Sequence, residues 1–449
     1  MSKFALLFLL VFFGGIVAAL MYSGTAAFVL YQLVYFLNPD DRWWSASIPG
    51  LRYSLISALL MMFALTLKYR EYSALSPWLK MPAFKWMVLL ALMYYAVHLV
   101  AVNPALHDKF TFDFTKLIII VLVAYKLVTT EKALDACLSA YVVGCTYIGY
   151  LAHITGRNYQ GRVEGIGLAD APDANDTAAA LVPAAAILMY FAWVSSKKIK
   201  ILVLVCGALI ANGIVLINSR GSFLGIVASL TVFLFFMVFS RFQRPGQRSA
   251  AIFMILLALS GGLYVADDLF WERMSTLQSE DRSESGASRT AFWMVTFEMM
   301  DDHPFGVGAF GYQALSPLYM DEETRGGLEH RAVHSLWFQG LSEVGWIGLA
   351  LFVAMLVSIY RLSSKAKRFV VEQRNNNAYF KILALECALF GYLVAGSFID
   401  RFRAEILYWM ILFLAVAINV FYLQKRHEDR DVGRGLGSTR ISRDGYENE

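Results

Sequence analysis

The residues that could do chemistry fall in a few short polar stretches of a mostly apolar chain. His334 stands just before SLWFQGLSEVGWIGL, near the head of a helix that leads into an apolar run. An imidazole there can take a hydroxyl proton near neutral pH, so His334 reads as a general base, with a packed or helix-capping histidine as the plainer alternative. His330 lies four residues earlier, with Glu329 and Arg331 beside it. Two histidines at that spacing could hold zinc, but Arg331 stands where H-E-x-x-H needs glutamate and no cysteine is near, so no metal site is expected. Arg289 opens RTAFWMVTFEMM, which has the pattern of an amphipathic helix. Arg220 sits in INSRGSFLG between two apolar runs. A guanidinium that close to hydrocarbon either snorkels to the interface or meets an anion, and Gly221 and Ser222 at the head of the next helix would add N–H groups. Arg162 belongs to GRVEGIGLADAPDANDTAAALVPAA, a structured loop in which Asn175 and Asp176 are plausible N-caps for the following run.

Several arginines (Arg162, Arg220, Arg289, Arg331), one well-placed histidine and no carboxylate pair suited to a metal define a chemistry. They fit a substrate with a doubly charged anionic leaving group and an acceptor hydroxyl, and a lipid-linked sugar diphosphate is such a substrate. The GVGAFGY segment has the glycines of a phosphate loop, but it lacks the lysine and follows no predicted strand.

The elements that must hold these residues are membrane helices. Of 449 residues, 58% are hydrophobic and 16% charged, and the mean hydropathy of +0.53 lies outside the soluble range. Continuous apolar runs, each long enough for a hydrocarbon core of about 30 Å, exclude a β-barrel and predict an all-α polytopic membrane protein. The net charge of +4 gives no ground for nucleic-acid binding. Cys137, Cys145, Cys206 and Cys387 all fall in apolar runs and read as packing residues. Thirteen runs can be drawn, the first two being 4–22 and 26–37. Lys and Arg gather in alternate short loops (Lys68 and Arg70; Lys126 and Lys132; Lys197, Lys198 and Lys200; Arg241, Arg244 and Arg248; Arg361 to Arg368; the tail after Lys425), which marks them as cytoplasmic. The 155–175 loop, the Asn218–Ser222 turn, the long 267–342 segment and Asp400–Arg403 then lie outside. A cytoplasmic N-terminus and tail require an even number of crossings, so one of the first two runs is expected not to cross, which leaves twelve. The expected division is 1–266 as an N-terminal bundle, 267–342 as a large extracytoplasmic catalytic loop, 343–423 as C-terminal spans, and 424–449 as a disordered cytoplasmic tail. Within the loop, WERMSTLQ is helix-compatible and SEDRSESGAS reads as mobile.

SRGSFLG, the segment from Arg289 to Trp293 followed by HPFGVGAFGY, and HSLWFQGLSEVGWIGL together resemble the O-antigen ligase and polymerase superfamily of bacterial envelopes. FLNPDDRWW and WERMSTLQSED add a likeness to the O-glycosylation ligases associated with the exosortase A system. The resemblance spans about residues 30 to 360, and its most specific element is His334-Ser-x-x-x-Gln339 followed by Glu343-x-Gly-x-x-Gly. It implies a GT-C-like glycosyltransferase of about twelve helices in the inner membrane, with a periplasmic site and no cofactor or metal. Such enzymes move a glycan from undecaprenyl diphosphate to a lipid, protein or glycan acceptor in polysaccharide or exopolysaccharide biosynthesis. By that resemblance Arg220 and Arg289 hold the diphosphate, with Arg162 and Arg331 as further substrate contacts. His334 activates the acceptor hydroxyl, whose attack from the face opposite the diphosphate inverts the anomeric centre. Glu343 orients His334 or a neighbouring arginine, and Gln339 supports it. Two other readings stand beside the ligase: a repeat-unit polymerase with the same donor, and a lipid-linked glycan transporter. Against transport, the chain shows no internal repeat, and Lys381 and Glu386 are the only charges well inside a late span.

Overall fold

The computed structural model describes residues 2–159, 161–240, 242, 244–275 and 287–426. Most of SEDRSESGAS and the tail from 427 onward lie outside the described residues. Seventeen helices follow in order: α1 (Lys3–Met21), α2 (Gly24–Leu37), α3 (Tyr53–Leu67), α4 (Tyr69–Leu75), α5 (Pro82–Val97), α6 (Pro104–Leu127), α7 (Glu131–Thr155), α8 (Ala174–Val194), α9 (Lys197–Ile217), α10 (Arg220–Phe239), α11 (Gln247–Val265), α12 (Asp268–Ser275), α13 (Ala287–Asp302), α14 (Gly311–Tyr319), α15 (Leu336–Glu372), α16 (Asn376–Gly396) and α17 (Glu405–Ile418). No strand occurs among the described residues, and the protein is an all-α, multi-pass membrane protein. Ten of the described helices are long and apolar enough to cross a bilayer. Counting α3 and α6 as well would bring the number to the expected twelve. That count would leave α2, whose 14 residues rise about 21 Å, as the run that stops short.

α17 is apolar on every face, and each residue from Ile406 to Ile418 is buried, so it is the central post of the bundle. α10 packs chiefly on α16 and α8. α10 and α16 cross at Gly225 and Gly391, where a Cβ on Gly225 would stand 2.6 Å from the Gly391 carbonyl oxygen. Small residues permit that approach, and dispersion then takes the place of a hydrophobic drive that lipid does not supply. The two charges inside α16 are both paired. Lys381 reaches Glu131 and Asp135, each at 2.7 Å, and ties α16 to α7. Glu386 bonds Lys367 and the Ser363 hydroxyl and ties α16 to α15. The four cysteines are free and buried.

α15 is kinked, and the kink explains the glycine-rich HPFGVG segment. Val344 and Gly345 leave helical geometry, with Gly345 at φ +65°. The carbonyls of Ser342 and Glu343, freed by the kink, accept the Val307 and Gly308 N–H groups at 2.8 and 3.1 Å, and Trp346 N–H bonds the Pro304 carbonyl at 3.3 Å. Gly306 and Gly345 make the approach possible: a Cβ on Gly345 would lie 2.4 Å from the Phe305 carbonyl carbon. These glycines serve backbone contact between the loop and the first span after it. The kink falls just past residue 342, where the loop was expected to end.

Candidate functional site

α10 begins at Arg220 with no side-chain cap from Ser219, so its N-terminus opens onto a recess of about 40 Å³. Ser219, Arg220, Arg273, Arg289 and Asn175 supply its polar wall, and Ala395, Phe398 and Ile399 close it on the α16 side. Four different segments therefore bring polar groups to one spot: the head of α8, the head of α10, the short surface helix α12, and the first turn of α13. Arg162 stands one bond back, donating to Asn175 Oδ1 at 2.8 Å and to the Ile217 carbonyl at 3.3 Å. Burial pushes the Arg273 guanidinium down to about 10, and the charges of Arg162, Arg220 and Arg289 push the same way. Burial likewise lowers Arg289, with Arg220 and Arg331 adding to it. Perturbed groups of this kind cluster at functional sites.

Sequence reading offered Asn175 and Asp176 as caps of α8. The cap is Asp173, whose carboxylate accepts the Asn175 N–H at 2.7 Å. Asn175 is thereby left to face the recess, and Asp176 turns to Arg401 at 3.6 Å.

His334 lies directly before Ser335, the N-cap of α15, and holds a left-handed backbone with φ +54°. A non-glycine residue there costs of order 1–3 kcal/mol, so the surrounding structure must hold it in place. Its half-buried ring packs near Phe292 of α13, with centroids 6.4 Å apart. Nδ1 lies 4.0 Å from Asp400 Oδ2, and Asp400 Oδ1 accepts the Ser335 N–H at 3.1 Å. Burial, then Arg289 and Arg331, hold the imidazole down at about 4, so it is neutral and able to accept a proton at neutral pH. Burial pushes Asp400 up to about 7, against the pull of the Ser335 and His334 backbone N–H groups. The Arg331 guanidinium lies over Phe292, 5.0 Å from the ring centroid, and the Arg331 backbone N–H donates to Ser316 Oγ at 2.9 Å. His330 is exposed, near Glu329.

Gln339 and Glu343 fasten the first turns of α15 to the 397–403 segment. Gln339 accepts the Phe402 N–H at 2.8 Å and donates to Glu343 at 2.9 Å. Glu343 takes Arg403 through both oxygens, at 2.9 and 3.0 Å, and Tyr94 OH at 2.6 Å. Its expected partner was His334 or a neighbouring arginine. The arginine it holds is Arg403, and His334 is not among its hydrogen-bond partners. Trp337 adds a bond to Ser397 at 2.9 Å. Sequence reading assigned no role to Asp400, Arg403 or Arg273. The available signal was four charges packed into IDRFRAE between two apolar runs, where a short loop seldom carries them without use. Among the described residues, no group of three or more His, Cys, Asp or Glu is placed to hold a metal ion.

A polytopic helical membrane protein with an arginine-lined recess beside a neutral histidine is the class that fold and site define. A family model described as O-Antigen ligase matches residues 205–353, from α9 to beyond the α15 kink. That match supports a place in the O-antigen ligase superfamily and a ligase- or polymerase-like membrane enzyme. It takes in Arg220, Arg273, Arg289, Arg331, His334, Gln339 and Glu343, while Arg162, Asp400 and Arg403 lie outside it. Comparison with curated proteins returned no match.

Proposed function

We propose that this protein transfers a glycan from undecaprenyl diphosphate to an acceptor hydroxyl at the extracytoplasmic face of the bacterial inner membrane. The observation that carries this reading is the convergence of Arg220, Arg273 and Arg289 on one recess, with Arg162 bonded to its wall. A diphosphate is the anion such a set suits, because planar guanidinium groups bond phosphate oxygens in pairs. His334 takes the proton as the acceptor oxygen forms its bond to the anomeric carbon. The bond from that carbon to the diphosphate oxygen breaks, and undecaprenyl diphosphate leaves with its charge spread over the arginines. Attack from the face opposite the leaving group inverts the centre. The reaction so written needs neither nucleotide sugar nor metal. Residues 267–342 form the catalytic loop, carried between the 1–266 and 343–423 helices. The Lys and Arg clusters in the alternate loops support the orientation. Likeness to the exosortase-associated ligases favours a finished glycan passed to a separate acceptor. The polymerase reading shares every step at the donor and differs only in the acceptor.

Purified protein in nanodiscs, given undecaprenyl-diphosphate-linked glycan and candidate acceptors without nucleotide or metal, should release undecaprenyl diphosphate. Product size separates ligase from polymerase. Equal release by a folded His334→Ala variant would overturn the assignment of the base, and no release by the wild type with any acceptor would overturn the reaction.

A further inference from the structure

α10 and α16 border the arginine recess at one end and a second, open recess at the other. The second has a volume of about 790 Å³ and is bordered by Phe242, Arg244, Val371, Arg374, Asn376 and Asn377. α16 has 21 residues, so the two recesses are separated by about 30 Å, the thickness of a hydrocarbon core. Three features mark the second recess as built for a ligand. Arg244 and Arg374 both border it, and neither has a carboxylate partner among the described residues. Asn376, at the first position of α16, is only 8% exposed, yet its side-chain oxygen and nitrogen both lack a hydrogen-bond partner. A buried amide in that state is destabilising, and a ligand that accepts from Nδ2 and donates to Oδ1 would relieve it. The N-terminus of a long helix adds its partial positive charge at the same place.

Arg374 sits at φ +54° in the turn that ends α15, a position where glycine would be easier. The turn closes through Arg374 N–H to Val371 and Asn375 N–H to Val370, at 3.0 and 2.9 Å, so it needs no arginine side chain. Arg244 is already aimed, donating to Asn377 Oδ1 at 2.8 Å.

We infer that this recess binds a phosphodiester that also carries a hydroxyl, on the membrane face opposite the arginine recess. The phosphate would lie between Arg244, Arg374 and the α16 N-terminus, and the hydroxyl would donate to Asn376 Oδ1. A hydroxylated anionic phospholipid supplies that group at head-group depth, and the apolar edges at Phe242 and Val371 suit its glycerol backbone. A soluble glycerophosphodiester, such as glycerophosphoglycerol, offers the same chemistry.

The test uses the full chain, purified and analysed by native mass spectrometry after exchange into equal phosphatidylglycerol and phosphatidylcholine. A parallel arm follows the unfolding temperature in detergent with added glycerophosphoglycerol. The wild type should keep phosphatidylglycerol in preference to phosphatidylcholine. The double variant Arg244→Gln/Arg374→Gly should lose that preference by at least about tenfold, the scale of one charge-assisted bond, and Asn376→Ala should lose part of it. Arg374→Gly alone relieves the left-handed residue, so its unfolding temperature should not fall, which separates lost binding from lost folding. A shift with glycerophosphoglycerol that disappears in the double variant, without lipid preference, identifies the soluble source. The inference is overturned if the wild type shows neither preference nor shift, or if the double variant keeps them unchanged.

Discussion

Asp400 Oδ2 lies 4.0 Å from His334 Nδ1, while its other oxygen accepts the N–H of Ser335, the residue that starts α15. One carboxylate thus fixes the backbone beside the histidine and faces its ring. As His334 takes a proton, the imidazolium gains a counter-charge that the neutral ring does not need. That stabilisation exists mainly in the transition state and appears in kcat more than in KM. Asp400→Asn, which keeps the shape and removes the charge, should lower kcat by about 10–100-fold with little change in KM. Asp400 is pushed up to about 7, so it is ionised only above that pH. The wild-type rate divided by that of the Asp400→Asn variant should therefore grow between about pH 6 and pH 8. A ratio that is flat over that range would show that Asp400 acts through the backbone alone.

The pH dependence of His334 follows from its neighbours. Burial, Arg289 and Arg331 hold it down at about 4 before the donor binds. A bound diphosphate offsets the arginine charges and should raise it, because an added negative charge favours the imidazolium. The acid limb of kcat/KM reports free enzyme and that of kcat reports the complex. The kcat limb should therefore lie at the higher pH. Arg331→Gln removes one repelling charge and should move the kcat/KM limb upward. A downward move, or the reverse order of the limbs, is incompatible with His334 as the base. Stability follows the same linkage. A histidine depressed from about 6.5 contributes stability that is present above that pH and is lost as pH falls towards about 4. His334→Gln should flatten that part of the unfolding-temperature profile.

Burial, then the neighbouring arginine charges, disfavour the charged form of Arg273, the form that would serve the proposed donor. Arg162, Arg220 and Arg289 all push on Arg273. Arg273→Gln should raise the unfolding temperature of the ligand-free protein by a degree or more while raising the donor KM about 10–100-fold, the scale of a charge-assisted bond. Added pyrophosphate should stabilise the wild type and have less effect on the variant. A variant that loses stability, with donor KM unchanged, would make Arg273 a structural residue.

Much of this architecture could be read along the sequence because it depends on local pattern. Apolar runs set the helices, and SRG between two runs placed Arg220 at a helix head. HSLW placed His334 just before another. What could not be read depends on pairings across the chain. Asp400 meets Ser335, and Arg403 meets Glu343, only because the α16–α17 turn folds back over the head of α15. The apolar runs announce the turn itself, but nothing in the local spacing announces what it packs against. Capping was misplaced for a related reason: Asp173 and Asn175 both suit an N-cap, and the choice is settled by Arg162, which holds the Asn175 side chain. The GVGAFGY segment lacked the lysine and strand of a phosphate loop, and the backbone contact its glycines do serve could not be read because the α15 kink is hidden inside an apolar run.

That kink gives the last test, because it links backbone geometry to the placement of His334. Gly345 has φ +65°, and a Cβ there would stand 2.4 Å from the Phe305 carbonyl carbon and 2.5 Å from the Pro304 oxygen. Both contacts are backbone, so no side-chain rotation relieves them. Gly345→Ala must therefore push the 303–308 segment off α15 or straighten the kink. Either movement breaks the bonds from Val307 and Gly308 to the Ser342 and Glu343 carbonyls, and Glu343 is what Arg403 holds. The expected cost is several kcal/mol, the sum of a left-handed alanine and a backbone clash. Measured by heat or protease challenge in detergent, Gly345→Ala should be strongly destabilised. Activity of the surviving folded fraction should fall as well, because His334 lies directly before the first turn of α15. Gly261→Ala in α11, where nothing lies within 4 Å of the new Cβ, is the control and should be neutral or slightly stabilising. If Gly345→Ala matches that control in both stability and activity, the packed kink is not what positions the histidine.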